Sequence, residues 1–159
     1  MSEEIPLNRS IQVRAVHAGD FDQWKPLWDG YNAFYGRSGD TALAPLVTET
    51  TWARFLDEYE PMHALVAERA GRLIGLVHFI YHRDTTTVVP ICYLRDLYTA
   101  QDVRGQGVAR ALIHAVYDRA KSAGAVRVYW LTHETNTTAM RLYDQLAEKS
   151  GFLQYRKIF

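Results

Sequence analysis

Cysteine is almost absent: Cys92 is the only one among 159 residues. An intramolecular disulfide and a thiol–metal cluster are therefore both excluded. No apolar stretch approaches the roughly 18 residues that a membrane-spanning helix needs. The start, Met1-Ser2-Glu3-Glu4, lacks the basic flank and apolar core of a secretory signal, so a cytoplasmic, membrane-free protein is expected. Charge of one sign is also lacking, since eighteen basic residues balance eighteen acidic ones. A broad nucleic-acid surface would need a basic excess, and none is expected as a partner. The six histidines show no paired spacing, so no metal is expected. There is no repeat, low-complexity tract or long linker, and 1–159 reads as one domain with a flexible N-terminus over 1–10.

Against this even background one segment stands out, Arg104-Gly105-Gln106-Gly107-Val108-Ala109, between an apolar strand-like run and a long helical pattern. Glycines where a helix opens let its free N–H groups approach an anion, the helix dipole favours negative charge there, and Arg104 adds a cation. The segment lacks the Lys-Ser/Thr that completes a phosphate-binding Walker loop. It also lacks the third small residue of a dinucleotide fingerprint, because Arg110 holds that place.

Periodicity gives the remaining elements. Ile11 to Val16 alternates as a strand, and Asp20 is a candidate N-cap for a helix to about Tyr35. Trp24, Leu27, Trp28, Tyr31, Phe34 and Tyr35 recur on one face of that helix. A loop over 36–45 leads to a helix from Thr48 to about Tyr59. Ala64–Glu68 and Leu73–Tyr81 form a hairpin turning at Ala70-Gly71-Arg72. Cys92–Thr99 is a strand, Gly107–Ala123 a helix closed by Gly124, and Val126–Leu131 a buried strand. A helix from Asn136 or Thr137 to about Lys149 and a closing strand after Gly151-Phe152 complete the chain. The fold class is α/β, with order β-α-α-β-β-β-α-β-α-β and a mixed sheet with helices on both faces.

Arg104-x-x-Gly107-x-Ala109 resembles the acetyl-CoA pyrophosphate loop of the GNAT N-acetyltransferase superfamily. Tyr93 to Thr99, the loop, and Ala111 to Gly124 look like that family's strand–loop–helix. Asn136-x-x-Ala139-x-x-Leu142-Tyr143, followed by Gly151-Phe152, is similar to its second block. The likeness is dense over 93–159 and extends more thinly over 11–92. The longer 143–152 segment looks more like the branch of yeast histone and small-amine acetyltransferases.

The resemblance implies a six- to seven-stranded sheet, acetyl-CoA as cosubstrate, a primary-amine acceptor and a homodimer. It implies that Leu97, Tyr98 and Thr99 offer a strand edge to pantetheine at a bulge, with an N–H of Leu97 or Tyr98 facing the thioester oxygen. Arg104, Gly105, Gln106, Gly107, Val108 and Ala109 would hold the pyrophosphate, and Asn136 would cap its helix while bonding the pantetheine arm. Tyr143 matches the position whose phenol protonates the departing thiolate; otherwise it is a tyrosine lying on the sheet.

Asp96 matches an acidic position of the polyamine branch, as base, amine-steering group or structural carboxylate. Arg95 departs from that branch, repelling a polycation and favouring an acceptor with its own carboxylate, such as an amino acid. Tyr31 and Tyr35 are candidate walls of the acceptor site, though a helical aromatic stripe is more often core. His78 and His133 are alternative proton acceptors or structural histidines, and Cys92 reads as a buried thiol. Transfer to a small amine leads; transfer to a protein lysine, a non-catalytic CoA sensor and an unrelated nucleotide or phosphate binder are the alternatives.

Overall fold

Ala70 and Gly71 reverse the chain between the two strands at the heart of the sheet, both with positive φ (51° and 77°), as a two-residue hairpin turn requires. The computed structural model describes residues 10–159, so the flexible N-terminus expected over 1–10 lies outside the described residues except for Ser10. Strands β1 (Gln12–Ala15), β2 (Met62–Arg69), β3 (Arg72–His82), β4 (Ile91–Thr99) and β5 (Val128–Tyr129) lie side by side in that order. The first three pairings are antiparallel and β4–β5 is parallel.

Helices α1 (Phe21–Phe34) and α2 (Pro45–Phe55) cover one face, and α3 (Val108–Ser122) covers the other. α4 (Thr137–Leu146) follows β5. Trp24, Leu65, Ile74, Leu76, Leu112 and Ile113 are fully buried. Each such side chain contributes about 1.5–3 kcal/mol by leaving water.

The expected mixed sheet with helices on both faces is present, but among the described residues it has five strands rather than six or seven. The closing strand expected after Phe152 is not formed. Residues 147–159 carry no regular structure, and β5 is only two residues long. A strand exists only with a neighbour to complete its ladder, and this segment pairs with none of the five.

Three local expectations also shift. α2 begins at Pro45, not Thr48, because proline's fixed φ and missing N–H suit the first helical position. Asp20 precedes α1, yet its carboxylate makes no cap bond. It instead takes two hydrogen bonds from Arg14 (2.7 and 2.9 Å) and one from the His17 N–H. Asn136 likewise precedes α4 without capping it, its amide donating at 3.4 Å to Thr132 Oγ1.

Candidate active site

The site is made by one extra residue in β4. His78 of β3 lies opposite Asp96, but the next residue, Phe79, lies opposite Leu94, so Arg95 has no partner across the ladder. Paired residues share a face, and a one-residue insertion exchanges the faces beyond it. Leu94 therefore shares the α3 face with Phe79, whereas Asp96 shares the α1 face with His78. The bulge expected near Leu97–Thr99 is thus at Arg95, and it opens toward β3 rather than β5. On its other side β4 pairs with β5 only at Cys92–Val128 and Tyr93–Tyr129. From Leu94 to Thr99 that edge has no strand against it, so the expected opening at Leu97, Tyr98 and Thr99 is present.

Turned toward α1, Asp96 enters a chain of buried polar groups. Trp24 Nε1–H donates to His78 Nε2 at 3.0 Å, which leaves the imidazole proton on Nδ1. Nδ1 then donates to Asp96 Oδ2 at 2.9 Å. Arg95 lies 3.3 Å from Oδ1, and Tyr31 is a further neighbour of this carboxylate. Burial raises the Asp96 pKa, but the bond from His78, then Tyr31 and the Arg95 charge, hold it below the ordinary carboxylate value. Tyr31 is pushed the other way, up, by burial first and then by Asp96. His78 has both nitrogens engaged and 2% exposure, so it orients Asp96 and is no free proton acceptor.

The aromatic stripe of α1 divides. Trp24, Leu27, Trp28 and Tyr31 are core, while Phe34 and Tyr35 are exposed. Tyr31 nevertheless reaches the site through its hydroxyl, and Tyr35 lies against it with ring centroids 5.1 Å apart. Arg37, which the sequence did not single out, stands over both rings at 5.8 and 5.5 Å. Two guanidinium groups, Arg95 and Arg37, thus flank Tyr31.

Gly105 and Gly107 adopt positive φ (74° and 86°), which is why glycine suits both positions, and a Cβ on either would meet no protein atom within 4 Å. The space in front of them is open, α3 starts at Val108, and the exposed Arg104 stands alongside. Open space, unpaired helix N–H groups and a cation suit a pyrophosphate. The hairpin braces this loop from behind: Arg69 bonds Gln106 at 2.8 Å and Arg72 grips Asp102 through two bonds of 2.6 and 2.9 Å. Neither brace was visible in the sequence, since the partners are 30 or more residues apart.

Tyr143 is half-buried and meets Trp130 edge-on at 5.4 Å. Burial pushes its pKa up to about 12, with Tyr35 contributing, so the two phenols are neighbours. Tyr35 and Asn136 border an open cleft of about 370 Å³ with Phe34, His133 and Thr135. A larger cavity of about 520 Å³ lies between α1, α2 and the 36–45 loop, but it touches neither Asp96 nor residues 104–109. The smaller cleft, bordered by Tyr35 and Asn136, is the better candidate on chemical grounds. His133 is exposed and its Nδ1 faces Thr135. Cys92 is fully buried, as expected, and its thiol is pushed up to about 12 by burial. Among the described residues no cluster of His, Cys, Asp and Glu could hold a metal.

The acetyltransferase (GNAT) family model matches residues 24–147. The D-amino-acid N-acetyltransferase HPA3 of Saccharomyces cerevisiae is 35% identical over 99% of this chain and 98% of that protein. N-alpha-acetyltransferase 30 of Schizosaccharomyces pombe is 32% identical over 67% of each. Among solved structures, the ribosomal-protein-alanine N-acetyltransferase of Brucella melitensis superposes with TM-score 0.78 at 23% identity, covering 95% of this chain and 100% of that one. AAC(6')-Iy, solved in complex with the bisubstrate analogue CoA-S-monomethyl-acetylneamine, superposes equally well (TM-score 0.78) at 17% identity, over 94% and 99%. A match that runs from α1 through the glycine loop to the end of α4 makes the chain a member of the GNAT acetyltransferase family, and an enzyme of that family's kind.

Proposed function

We propose that this enzyme, as one domain, moves the acetyl group of acetyl-CoA to the primary amine of a small zwitterionic acceptor, an amino acid, in a ternary complex. The observation that carries the acceptor assignment is the bulge pair: a buried carboxylate, Asp96, beside an exposed guanidinium, Arg95, both next to Tyr31. One attracts an ammonium and the other a carboxylate. A polyamine would meet Arg95 as repulsion. The 35% identity to a D-amino-acid N-acetyltransferase supports the same class.

The roles follow from position. N–H groups of residues 105–109, with Arg104, hold the pyrophosphate. The unpaired edge at Leu97, Tyr98 and Thr99 takes the pantetheine amides as a neighbouring strand would, with Asn136 assisting from beyond β5. The amine nitrogen attacks the thioester carbon, and an N–H of Leu97 or Tyr98 stabilises the oxyanion. As the carbon–sulfur bond breaks, the sulfur takes the proton of Tyr143, and the tyrosinate recovers one from the acylated nitrogen through water. The dry surroundings that raise this phenol also raise the basicity of the departing thiolate, so the transfer remains feasible. Asp96, held below its usual range by His78, Tyr31 and the Arg95 charge, steers the ammonium and does not store its proton. That proton leaves to water in the open cleft.

We further infer a cytoplasmic homodimer. Phe152, Leu153, Tyr155, Ile158 and Phe159 are exposed together, and a second copy would cover them. Sedimentation would return twice the chain mass. Among the described residues no helix is long and apolar enough to cross a membrane.

Thiol release from acetyl-CoA, measured over D- and L-amino acids, polyamines, aminoglycosides and a histone peptide, tests the reading. Amino acids should give the highest kcat/KM. Release with polyamine or peptide alone would contradict the acceptor assignment, and no release above hydrolysis would favour a CoA sensor.

A further inference from the structure

Gly30 lies inside α1 with no positive φ, so its backbone does not call for glycine, and glycine weakens a helix interior. The reason for it is Tyr98. A Cβ on Gly30 would stand 2.4 Å from the Tyr98 hydroxyl oxygen, 2.7 Å from Cζ and 2.9 Å from Cε1. The phenol therefore sits in a notch that only glycine leaves open. Over the same ring stands Arg104, its guanidinium carbon 5.6 Å from the centroid. Arg104 Nε also donates to the Thr99 carbonyl at 3.3 Å.

These contacts make a continuous path from α1, which carries Tyr31 next to Gly30, to the first residue of the glycine loop. We propose that Tyr98 is a positioning residue for Arg104: seated in the Gly30 notch, its ring fixes where the guanidinium stands over the phosphate cradle. A cation over an aromatic face is held in place while its N–H groups remain available. Affinity for the phosphate-bearing donor then depends on Gly30 of α1, a residue outside the 104–109 loop. The inference rests on the assignment of the 104–109 loop as the pyrophosphate site.

CoA binding is measured by calorimetry at low and high salt in the wild type, Gly30→Ala, Tyr98→Leu, Tyr98→Phe, Arg104→Gln and the double variant Tyr98→Leu/Arg104→Gln, with urea unfolding as the folding control. Arg104→Gln should weaken binding on the order of tenfold, the value of one charge-assisted contact, and flatten its salt dependence. Tyr98→Leu and Gly30→Ala should weaken it severalfold and flatten the salt dependence too, although neither removes a charge. Tyr98→Phe should recover most of the affinity, since the ring remains. The double variant should bind no more weakly than Arg104→Gln alone. If Gly30→Ala does not fold, the Tyr98 and Arg104 variants decide. Additive losses with an unchanged salt dependence, or wild-type binding by Tyr98→Leu, overturn the positioning role alone. Failure of the wild type to bind CoA overturns the donor assignment, and this inference with it.

Discussion

His78 and Asp96 face each other across neighbouring strands and are joined by a 2.9 Å bond from Nδ1 to Oδ2, with the Trp24 indole closing the far side of the imidazole. The bond exists because the Arg95 bulge places Asp96 on the α1 face. A carboxylate so held contributes to stability in its charged form.

Replacing Asp96 by Asn should therefore destabilise the protein by about 2 kcal/mol at pH 7, the range for a buried hydrogen bond to a charged group. The folded pKa lies below the unfolded one, near 4, so the contribution is present above pH 4 and is lost as pH falls through the folded value. Urea unfolding at pH 7 and pH 3 should show the gap between wild type and Asp96→Asn closing in acid.

Arg95→Gln should leave the fold intact, because its side chain is half exposed and its partner Asp96 retains the shorter bond from His78. Its effect should fall on the acceptor: kcat/KM for an amino acid should drop about tenfold or more, while that for the corresponding amino-acid amide changes little. Equal losses on both acceptors would remove Arg95 from carboxylate recognition.

Cys92 should not react with thiol reagents at pH 8 while the protein is folded, since it is fully buried and its thiol is pushed up to about 12. Modification should follow unfolding, so its rate should rise in urea in step with loss of the fold.

Features written locally in the chain were legible. Glycines at 105 and 107, the Ala70-Gly71 turn and the α1 stripe are set by near neighbours; the first two stand where expected, and the stripe does as far as Tyr31. The Arg95 bulge was not, because either register of β4 offers buried alternating residues and only pairing with β3 selects one. Asp20 and Asn136 had the composition of helix caps, but Arg14 claimed one and Thr132 Oγ1 is the partner of the other. The 152–159 run reads as a strand by pattern, yet it pairs with no strand of the described chain. The GNAT assignment itself was legible in the 104–109 loop and the 136–143 block, and the family match confirms it.

Gly107→Ala forces an L-residue into φ near 86°, costing roughly 1–2 kcal/mol or shifting the N–H groups that open α3. We expect a severalfold rise in the KM for acetyl-CoA with the KM for the acceptor unchanged. Initial rates at varied concentrations of each substrate separate the two.

The most direct test of the account is the Tyr143→Phe variant, assayed for acetyl transfer by thiol release and for CoA binding by calorimetry in one preparation. We predict that transfer falls on the order of a hundredfold, as for loss of a general acid, while the CoA dissociation constant stays within about twofold of wild type. Undiminished transfer by the variant would contradict the assignment of Tyr143 as the proton donor. A wild type that binds no CoA would contradict the donor site itself.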